Sequence, residues 1–125
     1  MTEKSPKFIL WLEELSKEDI PLVGGKNASL GEMYNHLTKG VKVKINVPDG
    51  FALTSKAYWY FLEVNNLKKK LEEIFAKFNS KSIKSLQETG RAARELILRG
   101  KLPEDFKKEV IQAYQKLEKK YGKNC

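Results

Sequence analysis

A single cysteine, Cys125, closes the 125-residue sequence. One thiol can form neither a disulfide nor a cysteine zinc site within one chain, so no covalent or metal staple is expected. Long apolar runs are missing too. The run Phe8–Leu12 is ended at once by Glu13 and Glu14, too early for the core of a signal peptide. No stretch approaches the roughly 20 apolar residues of a spanning helix. The expectation is a soluble cytoplasmic protein with no membrane partner. Internal repeats and low-complexity linkers are also lacking.

Positive charge is what the sequence has in excess. Twenty-four Lys and Arg against 16 Asp and Glu leave a net +8. This balance favours anionic partners: nucleotides, nucleic acid or an acidic protein surface. Much of the excess lies in helix-like stretches, 67–71 and 116–120, the second interrupted by Glu118. Such stretches read as solvated helix faces, and no nucleic-acid-binding motif accompanies them. Nucleic acid is therefore not an expected partner. Hydrophobic residues at 41% and charged residues at 32% describe a folded chain rather than a disordered one.

Periodicity predicts the elements. Phe8–Leu12 reads as a short buried strand and Pro21–Gly25 as a loop leading to a turn. Asn27–Leu37 reads as a helix, with Leu30, Met33 and Leu37 at helical spacing and Gly40 as its stop. Val41–Ile45 alternates with period two, as a strand does. Pro48–Gly50 reads as a turn and Phe51–Leu53 as a second short strand. Thr54 or Ser55 then caps a helix through Leu62. Three apolar stripes predict further helices: Leu67, Leu71, Ile74 and Phe78; Leu86, Gly90, Ala93 and Ile97; and Phe106, Val110, Tyr114, Leu117 and Tyr121. Residues 79–80 and 100–103 separate them. The predicted class is α+β, mostly helical.

The most informative segment is Leu22-Val23-Gly24-Gly25-Lys26-Asn27-Ala28-Ser29-Leu30-Gly31-Glu32-Met33. Two glycines let backbone approach a ligand closely and adopt positive φ. The helix that follows offers unpaired N–H groups and the positive end of its dipole. Lys26 adds an ammonium beside them. Each contribution is modest, about 0.3–1 kcal/mol for a charge at an exposed helix end. The spacing is neither a Walker A loop nor a dinucleotide fingerprint. Two readings stay open on local chemistry alone: a phosphate-holding turn, and an ordinary Gly-Gly turn with Lys26 in solvent.

Val23–Met33 resembles the opening signature of phosphoenolpyruvate synthases (pyruvate, water dikinases) and of their relatives, the pyruvate phosphate dikinases. Val47-Pro48-Asp49-Gly50-Phe51-Ala52-Leu53-Thr54, followed by the aromatic stretch Ala57–Leu62, resembles that family's V-P-x-G-F-x-x-T segment, in the same order. The segment between the two motifs is longer here, through Lys42–Ile45.

The resemblance implies that residues 1–125 are the N-terminal portion of an ATP-grasp-like nucleotide-binding domain. ATP and Mg²⁺ are the implied ligands. In the family, the β-phosphate of ATP passes to a histidine on a swivelling domain and then to pyruvate on a barrel domain. The terminal phosphate is lost to water, leaving AMP. By motif position, Lys26 matches the lysine that contacts ATP phosphates, with Gly24 and Gly25 in its turn, and Thr54 offers a hydroxyl near the nucleotide. Helix capping is the competing role for Thr54. Arg94 matches a family arginine. Periodicity separately places it at the border of the second stripe, with Arg91 further round. Pairing with Glu95 on the surface is the plain alternative.

No catalytic residue is expected within this chain. The only histidine, His36, lacks the context of the phosphohistidine, and Glu32 has no partner carboxylates to make a metal site. The family's Ala-Val-Arg-Ser-Ser-like strand, its phosphohistidine and its pyruvate-binding domain do not occur in the 125 residues. The chain is thus expected to be a fragment, a truncated product or one subunit of a split enzyme. Inactive alone, it would work with the remaining domains or subunit of the synthase. The alternatives are a non-catalytic docking module and, from charge alone, a nucleic-acid-binding domain.

Overall fold

A computed structural model describes residues 7–39, 42 and 45–122, which fall into two compact units. One comprises the chain up to Tyr58 together with the segment from Glu104 onward; the other comprises Trp59–Pro103.

The first unit is organised by a two-stranded antiparallel sheet. β1 (Ile9–Trp11) pairs with β2 (Phe51–Leu53) in the register Ile9↔Leu53, Leu10↔Ala52, Trp11↔Phe51. Thr54 N–H donates to the Phe8 carbonyl at 2.9 Å, and Leu12 N–H to the Gly50 carbonyl at 3.0 Å, extending the pairing at both ends. Leu10, Leu12, Leu15 and Ala52 are buried together, and Leu22, Val23, Leu30 and Tyr34 pack on them. Two 3-10 turns follow β1, Leu12–Glu14 and Lys17–Asp19. Each is closed by an acid three residues after its cap: Trp11 N–H donates to Glu14, and Ser16 N–H to the buried Asp19, both at 2.9 Å.

α1 (Ile20–Thr38) corrects the expected loop over Pro21–Gly25. Proline in the first turn leaves no donor wasted and its φ suits a helix start, so Pro21 begins the helix rather than preventing it. The helical backbone is interrupted at Gly24 and then resumes through the expected 27–37 region. The stop expected at Gly40, and Val41, Val43 and Lys44 of the strand expected over 41–45, lie outside the described residues, as does Cys125.

Pro48–Gly50 forms no turn. Instead Asp49 is anchored to α5 (Glu104–Tyr121). Its N–H donates to the Tyr121 hydroxyl at 2.7 Å, and Lys120 Nζ reaches its carboxylate at 3.2 Å. On α5 the buried positions are Phe106 and Ala113, with Val110 and Leu117 half-buried. Tyr114 and Tyr121 of the predicted stripe are exposed. The small Ala113 sits on the inward side, and the Tyr121 hydroxyl is used at Asp49.

α2 (Ser55–Val64) starts in the first unit and ends in the second, which adds α3 (Lys68–Ala76) and α4 (Ile83–Arg99). Leu62, Leu67, Leu71 and Ala93 form the core of this second unit, with Phe61 and Leu96 against it. Asn65 closes the segment before α3 by a two-way bond to the Lys101 backbone, 2.9 Å in each direction. Gly100 is required by packing, since a Cβ there would lie 2.5 Å from Phe61 Cζ. Two members of the predicted stripes, Phe78 and Leu86, are exposed. Phe78 falls beyond the end of α3, and the half-buried Leu96, rather than Leu86, packs on the core.

Candidate functional site

The site is built at the break in α1. Gly24 has φ 84° and ψ 163°, a region essentially confined to glycine. Gly25 is already helical, so Gly25, Lys26 and Asn27 form the first helical turn after the break. A Cβ added at Gly24 or Gly25 would meet nothing within 4 Å. The surroundings of both glycines are therefore open. Lys26 is exposed, and its side chain makes no hydrogen bond or ion pair among the described residues. An open helix start bearing a free ammonium is chemically an anion receiver.

Other residues of the same motif do structural work that the sequence did not disclose. Gly31 is buried where α1 crosses the preceding segment; a Cβ there would lie 2.4 Å from Leu15 Cβ and 2.8 Å from the Leu15 carbonyl oxygen. Glu32 accepts from Lys17 N–H at 2.9 Å and pairs with His36 Nε2 at 2.9 Å. The Lys17 N–H bond, followed by the His36 contact, holds the Glu32 carboxyl below its usual value against an opposing effect of desolvation. Asn35 Nδ2 faces the carbonyls of Leu12, Glu13 and Leu15 at 3.4, 3.2 and 3.1 Å. One face of α1 thus clamps residues 12–17, and the 24–26 bend is left uncovered.

The second motif reaches the same unit through Thr54, which is 3% exposed. Its hydroxyl donates to the Lys7 carbonyl at 2.7 Å and faces Ala57 N–H, at the start of α2, at 3.4 Å. Both hydroxyl functions are engaged inside the chain. The next residue, Ser55, donates from Oγ to the Pro21 carbonyl at 3.2 Å, which ties the second motif to the helical turn before the bend.

Arg94 belongs to the second unit. Its Nη1 lies 3.0 Å from where a Gly90 Cβ would be, so the guanidinium folds back over a glycine of its own helix. In the alternative reading Arg94 pairs with Glu95; that pairing is made by Arg91, at 3.5 Å. Gly24, Gly25, Lys26 and Thr54 share the first unit.

The bend is open at both glycines and carries the exposed Lys26, a setting chemically suited to an anion. A metal does not fit: among the described residues no three His, Cys, Asp or Glu side chains gather. No described helix is long and apolar enough to cross a membrane.

These features define a mostly helical α+β chain whose first helix is broken at an open, lysine-bearing bend. The family model described as pyruvate phosphate dikinase, AMP/ATP-binding domain, matches residues 20–124, and the chain belongs to that family. It is 45% identical over 120 residues to the phosphoenolpyruvate synthase of Aquifex aeolicus, covering 95% of this chain and 14% of that protein. It is 42% identical to the synthase of Synechocystis sp. over 98% of this chain and 42% identical to that of Helicobacter pylori over 92%, again covering 14% of each relative. The chain thus spans about one seventh of the length of the relatives it matches.

Proposed function

We propose that this chain supplies the phosphate-contacting part of the ATP site of a phosphoenolpyruvate synthase, within an ATP-grasp-like domain. The observation that carries the reading is the open bend at Gly24–Lys26, inside the segment matched by the AMP/ATP-binding family. Gly24 turns the chain, Gly25 keeps the approach clear, and the N–H groups of the resumed helix with the Lys26 ammonium neutralise phosphate charge. Phosphoryl transfer is catalysed chiefly by such positioning and neutralisation. Thr54 contributes through the backbone it holds, and Arg94 supplies a second cation free of the ion pair that engages Arg91. ATP, when bound, supplies the phosphoryl group of the whole synthase, which would convert ATP, pyruvate and water to phosphoenolpyruvate, AMP and phosphate through a phosphohistidine. Mg²⁺ would accompany the ATP phosphates; among the described residues no three His, Cys, Asp or Glu side chains gather to hold it. The remaining domains or subunit of a synthase are the partners, in the cytoplasm.

One open bend with one lysine gives weak affinity, with a Kd of about 1 mM or weaker, since a nucleotide needs a largely enclosed site. The test is an ATP titration followed by amide chemical shifts. Changes centred on Gly24–Asn27 are expected in the wild type, with loss of most of the affinity in Lys26→Ala at unchanged stability. Equal affinity in Lys26→Ala would refute the role of that lysine. ATP, Mg²⁺ and pyruvate added to the chain alone are expected to give neither AMP nor phosphoenolpyruvate.

A second reading, a non-catalytic docking module, is favoured by the exposed Phe75, Ile83 and Leu86 of α3 and α4. Binding of a synthase partner without any ATP response would select it.

A further inference from the structure

The bend that presents Gly25 and Lys26 has no packing of its own. Nothing lies within 4 Å of a Cβ placed at Gly24 or Gly25, and a glycine torsion by itself is soft. Yet N–H groups receive an anion well only when their directions are fixed beforehand. Two side chains bracket the bend. Asn27 Nδ2 donates to the Val23 carbonyl at 3.0 Å, joining the residue before Gly24 to the first turn after it. Ser55 Oγ donates to the Pro21 carbonyl at 3.2 Å, joining the turn before the bend to the start of α2. Neither side chain is part of the buried cluster of this unit, whose attachment to α1 runs through Leu22, Val23, Leu30 and Tyr34.

We infer that Asn27 and Ser55 are positioning residues for phosphate binding at the 24–26 bend, acting through the backbone of Pro21–Val23 and not by touching the ligand. The inference rests on the reading of that bend as a phosphate site. It gives Asn27 a role distinct from that of its neighbour Lys26, and it links the two motifs of the sequence: the second runs directly into Ser55, which holds the turn before the bend of the first. Because the core contacts persist without either hydrogen bond, the fold is expected to survive their loss while the aim of the N–H groups does not.

The experiment uses the 125-residue chain, with inorganic tripolyphosphate as the probe, read from the amide shifts of Gly25 and Lys26. Asn27→Ala and Ser55→Ala are each expected to weaken binding about 5–10-fold, the range of one lost hydrogen bond. Alanine favours the helix at position 27, which keeps that variant folded. The urea midpoint is expected to stay at the wild-type value in both, and Ser55→Thr, which keeps the hydroxyl, to restore affinity. Wild-type affinity in both alanine variants would overturn the positioning role and leave the phosphate site standing. So would an affinity loss that merely follows a falling urea midpoint, which marks a structural role only. No shift change at Gly25 or Lys26 in the wild type would remove the phosphate reading, and the inference with it.

Discussion

Gly24 and Gly25 are adjacent, but the structure requires glycine at each for a different reason, and paired alanine substitutions separate the two. At Gly24 the constraint is torsional. With φ 84° and ψ 163°, a non-glycine residue is expected to cost about 1–3 kcal/mol. Part is offset by the lower entropy of the unfolded chain, about 0.4–1 kcal/mol. The net loss, about 1–2 kcal/mol, corresponds to a fall of roughly 1 M in urea midpoint for a slope of about 1–3 kcal/mol/M. At Gly25 the backbone is helical and a Cβ meets nothing within 4 Å. Nothing in the chain itself opposes alanine there, so Gly25→Ala is expected to raise the midpoint, by the same 0.4–1 kcal/mol or so. Its cost falls on the ligand, because the new methyl stands where a phosphate must approach the N–H groups. An affinity loss of tenfold or more, about 1.4 kcal/mol, is expected for ATP. Urea unfolding and ATP titration of both variants make the comparison. A stabilised Gly25→Ala that binds ATP as the wild type does would refute the close-approach argument. A Gly24→Ala as stable as the wild type would refute the torsional one.

Gly31→Ala places a Cβ 2.4 Å from Leu15 Cβ; such overpacking costs about 1–3 kcal/mol, and a thermal scan is expected to show Tm lower by roughly 5–10 °C. Glu32 has a folded-state pKa below its usual value, so its contribution to stability is complete above 4.5 and is lost as pH falls through the lower folded value. Urea midpoints measured against pH are therefore expected to drop less steeply in Glu32→Gln than in the wild type on the acid side. Arg94→Ala removes no ion pair seen among the described residues, so its Tm is expected to match the wild type, whereas in a complete synthase it slows phosphorylation of the acceptor histidine; an unchanged rate returns Arg94 to an ordinary surface role.

Much of the fold is legible in the sequence because local signals and tertiary contacts agree. Leu10 and Ala52 are the inward positions of two short strands, and the Thr54 hydroxyl faces Ala57 N–H at 3.4 Å at the start of α2, where the sequence predicts a cap. Disagreement arises where a distant contact decides a local conformation. Pro48-Asp49-Gly50 has turn composition, yet it forms no turn, and Tyr121, Lys120 and Leu12 bind it from elsewhere in the chain. Pro21 is a helix breaker in most contexts, but at the first turn of α1 it is a starter. Which residue of a stripe faces inward is likewise a tertiary question. Ala113 and Leu96 are buried or half-buried at the expense of Tyr114 and Leu86, a shift that hydrophobicity alone does not encode.

The candidate site is legible to a different degree, because one motif carries two sets of constraints. Val23–Met33 reads as a single signature, and in the structure it divides by face. Gly31 and Glu32, with Asn35 just beyond, are turned toward residues 12–17, each by a contact that explains its residue type: no room for a Cβ, a backbone N–H to accept, three carbonyls to cover. Gly24, Gly25 and Lys26 are turned away from everything described, and only Gly24 is explained by its own backbone. A glycine and a lysine therefore remain whose types the folded chain does not itself demand. Stability accounts for the first set and is indifferent to the second. In the proposed reading, the demand on Gly25 and Lys26 comes from a bound phosphate, which a helix start, open space and positive charge favour.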